Sequence, residues 1–124
     1  MEQFVSEKPI YMQIMDKVKK EIVSGRLPLG SPMASVRELA IAYHVNPNTV
    51  QRALSECERE GLLKSDRTLG RYVSADQTMI DALKQSMLEE WVTDFVGQCR
   101  DIGLSKVEVV ALIEAAYKKV GVSQ

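Results

Sequence analysis

Two helix starts placed close together constrain this chain more than anything else in it. Ser35 opens "SVRELAIAY" and Asn46 opens "NPNTVQRALSECEREG". A serine followed three residues later by Glu38 forms a capping box, in which each side chain satisfies a backbone N–H of the other's neighbourhood. Val36, Leu39, Ala40 and Tyr43 then share one face, which predicts a short helix over about residues 35–43. A break at His44-Val45-Asn46 follows, and Asn46 with Pro47 has the chemistry of an N-cap and a first helical residue. Val50, Leu54 and Cys57 recur at steps of four and three, while Asn48, Thr49, Gln51, Arg52 and Ser55 fall on the opposite side until Gly61 stops the run. Two helices joined by so short a turn, with the small Ala40 permitting close approach, make a helix-turn-helix.

The flanking sequence completes a small domain around that pair. Pro9 suits a first helical position, Ile10, Ile14, Val18 and Ile22 repeat on one face, and Ser24-Gly25 closes the segment. RLPLGSP, residues 26–32, reads as a turn-rich connector. Beyond Gly61, residues 62–65 and 71–74 read as short strands around "DRTLG", residues 66–70, giving a β-hairpin wing. The expected fold is mainly α with a small β-hairpin. A winged helix-turn-helix domain occupies residues 1–75, and a two-helix C-terminal unit occupies residues 76–124.

That C-terminal unit carries more apolar surface than two helices bury between themselves. Met79, Ile80, Leu83, Met87, Leu88, Trp91, Val92, Phe95, Val96, Cys99 and Ile102 form a broad stripe at helical spacing. After Gly103, Ser105 and Glu108 make a second capping box ahead of Val107, Val110, Ile113, Tyr117 and Val120. Either the winged domain or a second chain must cover these faces, and a homodimer is the expectation, with Leu83, Met87, Leu88, Trp91, Phe95, Ile113 and Tyr117 at its interface. A ligand pocket lined by Met87, Trp91 and Phe95 is the sharper alternative, but Met and aromatic residues at this spacing are usually packing.

Charge placement indicates the partner. The chain of 124 residues has a net charge of −1, yet residues 1–75 hold 11 Lys/Arg against 9 Asp/Glu and residues 76–124 hold 5 against 8. A polyanion would therefore meet the first half. A helix N-terminus offers free N–H groups to phosphate, and short amide side chains beside it reach base edges, which suits Asn48, Thr49 and Gln51. Arg37 and Arg52 add cationic reach, and the wing supplies Arg67 and Arg71, with Gly70 permitting close backbone approach. Glu56 faces outward too and would repel phosphate, so the helix is expected to leave a groove by that point.

The run "SVRELAIAYHVNPNTVQRALSECEREGLL", residues 35–63, together with "PIYMQIMDKVKKEIVSGRL", residues 9–27, resembles the winged helix-turn-helix of GntR-family bacterial transcription regulators. With the wing, the resemblance spans about residues 9–74, and the short helical tail is most similar to the YtrA-like subfamily. It implies a dimeric regulator bound to double-stranded operator DNA, its own operon and nearby ABC-transporter genes being among the targets. It also implies contacts from Arg37, Asn46, Asn48, Thr49, Gln51 and Gly70, to which Ser35, Arg52, Arg67, Thr68 and Arg71 are added as expected DNA-binding residues of the same surface. Three positions depart from the family pattern: Met33-Ala34 stands for Leu-Pro, His44 for a turn glycine, and Thr68 for the first wing glycine. Two-fold symmetry would place a pair of recognition helices about 34 Å apart and select a palindrome, which suits a repressor.

Other classes fare worse. One histidine and scattered carboxylates assemble neither a catalytic site nor a metal site, so no enzyme, metal or cofactor is expected. No run of apolar residues is long enough to span a bilayer, and MEQFVSEKP lacks the pattern of a signal peptide, which predicts a cytoplasmic protein. Cys57 and Cys99 are expected as buried thiols. The length leaves little room for a separate effector domain, and no effector is identified by the residues. A winged-helix module that binds protein without reading DNA remains the alternative.

Overall fold

A computed structural model describes residues 8–120. Five helices and one hairpin follow in the order α1 Ile10–Val23, α2 Val36–Tyr43, α3 Pro47–Arg59, β1 Leu63–Asp66, β2 Gly70–Val73, α4 Gln77–Asp101 and α5 Lys106–Lys119. The chain divides into two compact units, Met1–Lys84 and Gln85–Gln124, with the division falling inside α4.

Local chemistry sets the helix limits in the first unit. The Ser35 hydroxyl accepts the Glu38 N–H at 3.0 Å and the Glu38 carboxylate accepts the Ser35 N–H at 2.8 Å, so both halves of the capping box form. These bonds hold the Glu38 carboxyl below the usual carboxylate range. His44 ends α2 in the left-handed region with φ 56, the conformation a glycine would adopt most easily at that turn. The Asn46 side chain then accepts the Asn48 N–H at 2.7 Å, with Pro47 at the first position of α3.

Most of the expected apolar positions form the core of this unit, but Ile10 is exposed at the start of α1, and Met15 and Ala53 are buried without having been expected there. Ile14, Val18 and Ile22 of α1, Ala40 of α2, and Val50, Ala53, Leu54 and Cys57 of α3 are buried together with Leu62, Leu63, Val73 and Ala75. Tyr11, Val36, Leu39 and Tyr43 pack at its edge, as do Met79, Ile80 and Leu83 from the start of α4. Leu83 thus contributes to the first unit's core, whereas the sequence had placed it with the oligomerising stripe. Burial pushes the Cys57 thiol up to about 11, so it stays protonated and inert at neutral pH. Cys57 and Cys99 are both free and buried.

The hairpin pairs antiparallel, Leu63 with Val73, Lys64 with Tyr72, Ser65 with Arg71 and Asp66 with Gly70. Its strands sit one residue away from the predicted limits. The connector before α2 also differs from expectation. Gly30 N–H donates to Val73 C=O at 2.8 Å, Val73 N–H to Ser31 C=O at 2.8 Å, and Met33 N–H to Arg71 C=O at 2.9 Å. Residues 30–33 therefore run along β2 and cover its outer edge, which would otherwise be open to pairing with another chain.

In the second unit, α5 starts at a complete capping box, Ser105 with Glu108, and Gly103 turns the chain with φ +88. Only Cys99 and Val109 are buried there among the described residues. Leu88, Trp91, Val92, Phe95, Val110, Ile113 and Tyr117 are exposed, from 41% at Leu88 and Phe95 to 77% at Tyr117. Among the described residues, no helix is long and apolar enough to cross a membrane.

Candidate nucleic-acid interface

The buried face of α3 dictates what its other face presents. Val50, Ala53, Leu54 and Cys57 are fully enclosed, so Asn48, Gln51, Arg52 and Ser55, at spacings of three and four, form an exposed stripe beginning at the helix N-terminus. Thr49 lies at its margin, half-buried. The Gln51 amide donates to the Ser55 hydroxyl at 3.1 Å, a weak exposed bond that a base edge can replace. Arg52 is held differently. Its guanidinium stacks on the Tyr11 ring of α1, 3.8 Å from the centroid, which restricts its rotamers without neutralising its charge. Tyr11 was not among the predicted functional residues; its aromatic ring facing an arginine across two helices has no signature in local spacing.

The first turn of α2 joins this surface. Arg37 is exposed and lines a shallow apolar cleft with Val36, Ala40, Ile41, Val45 and Pro47, so it lies beside the start of α3. A second cleft is lined by Ser35 and Val36 with Ser65, Asp66, Leu69, Gly70 and Arg71, which brings the wing to the same end of α2. Ser35 and Asn46 are exposed, but their side-chain oxygens are engaged as helix caps.

The wing tip is ordered by one carboxylate. Asp66 Oδ1 accepts the N–H of Thr68 at 2.8 Å and of Leu69 at 2.9 Å, while Gly70 takes φ +82. A Cβ on Gly70 would meet open space, so glycine is needed there for backbone conformation and not for room within the chain. Arg67, Thr68 and Leu69 project into solvent, Leu69 at 76% exposure. Arg71 does not share the tip: it lies on β2, half-buried, with its guanidinium against Glu58 of α3. Glu56, expected to face outward, is half-buried and ion-paired with Arg59 one turn on.

The Leu69 and Thr68 amides hold the Asp66 carboxyl below the usual range. A depressed folded value means that the turn is supported above the unfolded pKa and loses that support as pH falls through the folded one. Hydrogen-exchange protection at the Thr68 and Leu69 amides is therefore expected to fall on acidification through the carboxylate range, and Asp66→Ala to abolish it at every pH. Protection that ignores both changes would contradict this account of the tip.

Groups of three or more His, Cys, Asp or Glu able to hold a metal are absent among the described residues. The arrangement supplies amides, hydroxyls and cations at a helix N-terminus with a projecting hairpin beside it, and those groups bind and orient rather than transform a ligand.

Comparison with known proteins gives this surface its context. The family profile described as bacterial regulatory proteins, gntR family, matches residues 10–73, from the start of α1 to the end of β2. The HTH-type transcriptional regulator YhcF of Bacillus subtilis is 41% identical over 108 residues, covering 87% of this chain and 89% of that protein. The HTH-type transcriptional repressor YtrA of the same organism is 38% identical over 93 residues, covering 73% and 71%. Among solved structures, a GntR family transcriptional regulator from Listeria monocytogenes superposes with a TM-score of 0.80 at 33% identity, covering 90% of this chain and 98% of that one.

Proposed function

The chain belongs to the gntR family of bacterial regulatory proteins, a DNA-binding transcription regulator and not an enzyme, and from that membership we propose that it is a homodimeric repressor reading a palindromic operator in the cytoplasm. One observation carries the reading: the free N-terminal stripe of α3, with Asn48, Gln51 and Arg52 exposed in line and Arg37 beside them. Asn48 and Gln51 reach base edges, Arg37 and Arg52 reach guanine or phosphate, and Arg67 at the wing tip adds a backbone contact. Two such surfaces related by a dimer axis would occupy successive major grooves.

The apolar surface of the second unit supports dimerisation. Monomeric proteins rarely leave large contiguous apolar patches in water, and Leu88, Trp91, Phe95, Ile113 and Tyr117 are all exposed. A second copy offers the same helices to cover them. A dimer seated on an operator that overlaps a promoter blocks polymerase, and repression is the reading supported by a similar protein, YtrA, which is described as a repressor. The YtrA-like resemblance extends the proposal to the protein's own operon and neighbouring ABC-transporter genes.

Base readout and phosphate contact predict different mutant behaviour. Gln51→Ala is expected to relax preference at one or two operator positions by about 1–3 kcal/mol of lost discrimination. Arg67→Ala is expected to weaken binding to every sequence and to lower the salt slope by about one. Binding titrations on an operator and its single-base variants, at several salt concentrations, separate the two. Equal affinity of both variants and wild type for every duplex would remove this docking arrangement.

A further inference from the structure

The wing is attached to α3 in two places, and only one of them is hydrophobic. At its base, Leu63 and Val73 are buried, the Ser74 hydroxyl donates to the Gly61 carbonyl at 2.9 Å, and the Ser74 N–H donates to the Leu62 carbonyl at 2.9 Å. From there toward the tip no hairpin residue is buried, and although residues 30–33 pair with β2 as far as Arg71, they are no part of α3, so apolar packing does not fix the angle of the hairpin to that helix. The second attachment is Glu58, in the last turns of α3. Its Oε1 accepts from Arg71 Nε and from the Ser65 hydroxyl, the latter at 3.0 Å. Ser65 and Arg71 are cross-strand partners, so one carboxylate grips both strands at the same register position, two residues out from the buried pair.

We propose that Glu58 is a positioning residue for DNA recognition: by holding Ser65 and Arg71 it fixes the wing at one angle to α3, and Arg71 acts through it without touching DNA. The proposal rests on the operator-reading function above. The Arg71 side chain is 17% exposed and the Glu58 side chain 30%, so the pair is partly shielded from water and held by charge-assisted bonds. A hairpin fixed in this way presents Arg67 and its neighbours together with the α3 stripe, and the cost of ordering the tip is met before binding.

Electrostatics and positioning predict opposite signs, which makes the test decisive. Removing a carboxylate beside a polyanion site should strengthen binding if charge alone matters. If the clamp matters, Glu58→Gln weakens it. Affinities of wild type, Glu58→Gln, Arg71→Met and the double variant are measured at several salt concentrations, with thermal unfolding in parallel. The probes are the duplex recovered by selection from a random pool and a random-sequence duplex of equal length. Each single variant is expected to lose about tenfold on the selected duplex and less than about twofold on the random one, and the double variant no more than either single. The salt slope should stay at its wild-type value. Should a single variant fail to fold, the charge-swapped pair Glu58→Arg with Arg71→Glu carries the test, and is expected to hold selected-duplex affinity within about threefold of wild type.

Three results would overturn the proposal. Glu58→Gln could bind the selected duplex as tightly as wild type or tighter. Arg71→Met could lose affinity equally on both duplexes with a slope reduced by about one, the mark of a direct phosphate contact. The charge-swapped pair could fold normally yet lose the selected duplex. A wild-type protein that enriches no sequence at all is a separate outcome: it removes the operator reading first and the role of the clamp with it.

Discussion

Phe95→Asp is expected to turn a dimer into a monomer and to reduce operator affinity by about 10²–10⁴-fold, while leaving the winged unit folded. Phe95 is 41% exposed, one turn from Trp91 at 47%, on a unit whose only buried described residues are Cys99 and Val109. A carboxylate at the centre of an apolar contact must be desolvated without a partner, and that cost falls on the dimer alone because the monomer leaves the position in water. The effect on DNA follows by linkage. Two half-sites bound by one dimer gain from the high effective concentration of the second recognition surface, and separate monomers lose that gain. Sedimentation at micromolar concentration reads the first effect and titration of a two-half-site duplex reads the second. A variant that remains dimeric and binds as wild type would place the association surface elsewhere.

Leu54→Ala is expected to destabilise the first unit by about 2–5 kcal/mol, out of a total of about 5–15 for a domain of ordinary stability. Leu54 is fully buried on α3, one turn from Val50 and Cys57, which are also at 0% exposure. Truncation leaves a cavity in the buried cluster to which Leu54 belongs, and a core assembled from so few large side chains has little material with which to fill it. Denaturant unfolding measures the loss. Because the same helix carries Asn48, Gln51 and Arg52 on its outer face, a fall in operator binding is expected to accompany the loss of stability. A cost under about 1 kcal/mol would mean that the core relaxes around the deletion far more than its packing suggests.

The helix-turn-helix is legible in the sequence because everything that defines it is local. Ser35 and Glu38 cap each other, Asn46 caps its own helix, and Val50, Leu54 and Cys57 repeat at helical spacing, so limits and buried faces follow from neighbours a few residues away. Membership of the family was legible in the same residues. What escaped depends on partners distant in the chain. Residues 30–33 gave no strand signal, since Gly30 and Pro32 are poor strand formers, and they pair with β2 only because the hairpin edge is there to receive them. Arg71 read as another cation near the wing tip because its partner, Glu58, lies 13 residues away on α3. Leu83 carried the same periodicity as Leu88 and Phe95, and periodicity alone does not say which core a residue joins.

Arg52 illustrates the same limit from the functional side. Its place on the exposed face of α3 was predictable from spacing, but its stacking on Tyr11, which favours one orientation of the guanidinium, was not. Local pattern identified which side chains reach outward. Tertiary contact determines which of them are paired within the chain, as Arg71 is with Glu58.

In the proposed dimer a symmetric pair of α3 N-termini, each with Arg37 beside it, reads a defined sequence. Selection of bound molecules from random duplex DNA, at two salt concentrations and with wild type and Arg37→Ala in parallel, tests it most directly. The expected result is an enriched palindrome whose half-sites lie about one helical turn apart, recovered with wild type at both salts and lost with Arg37→Ala. Weak binding that fades with salt and enriches no sequence would contradict it, and would point instead to a winged helix that recognises protein.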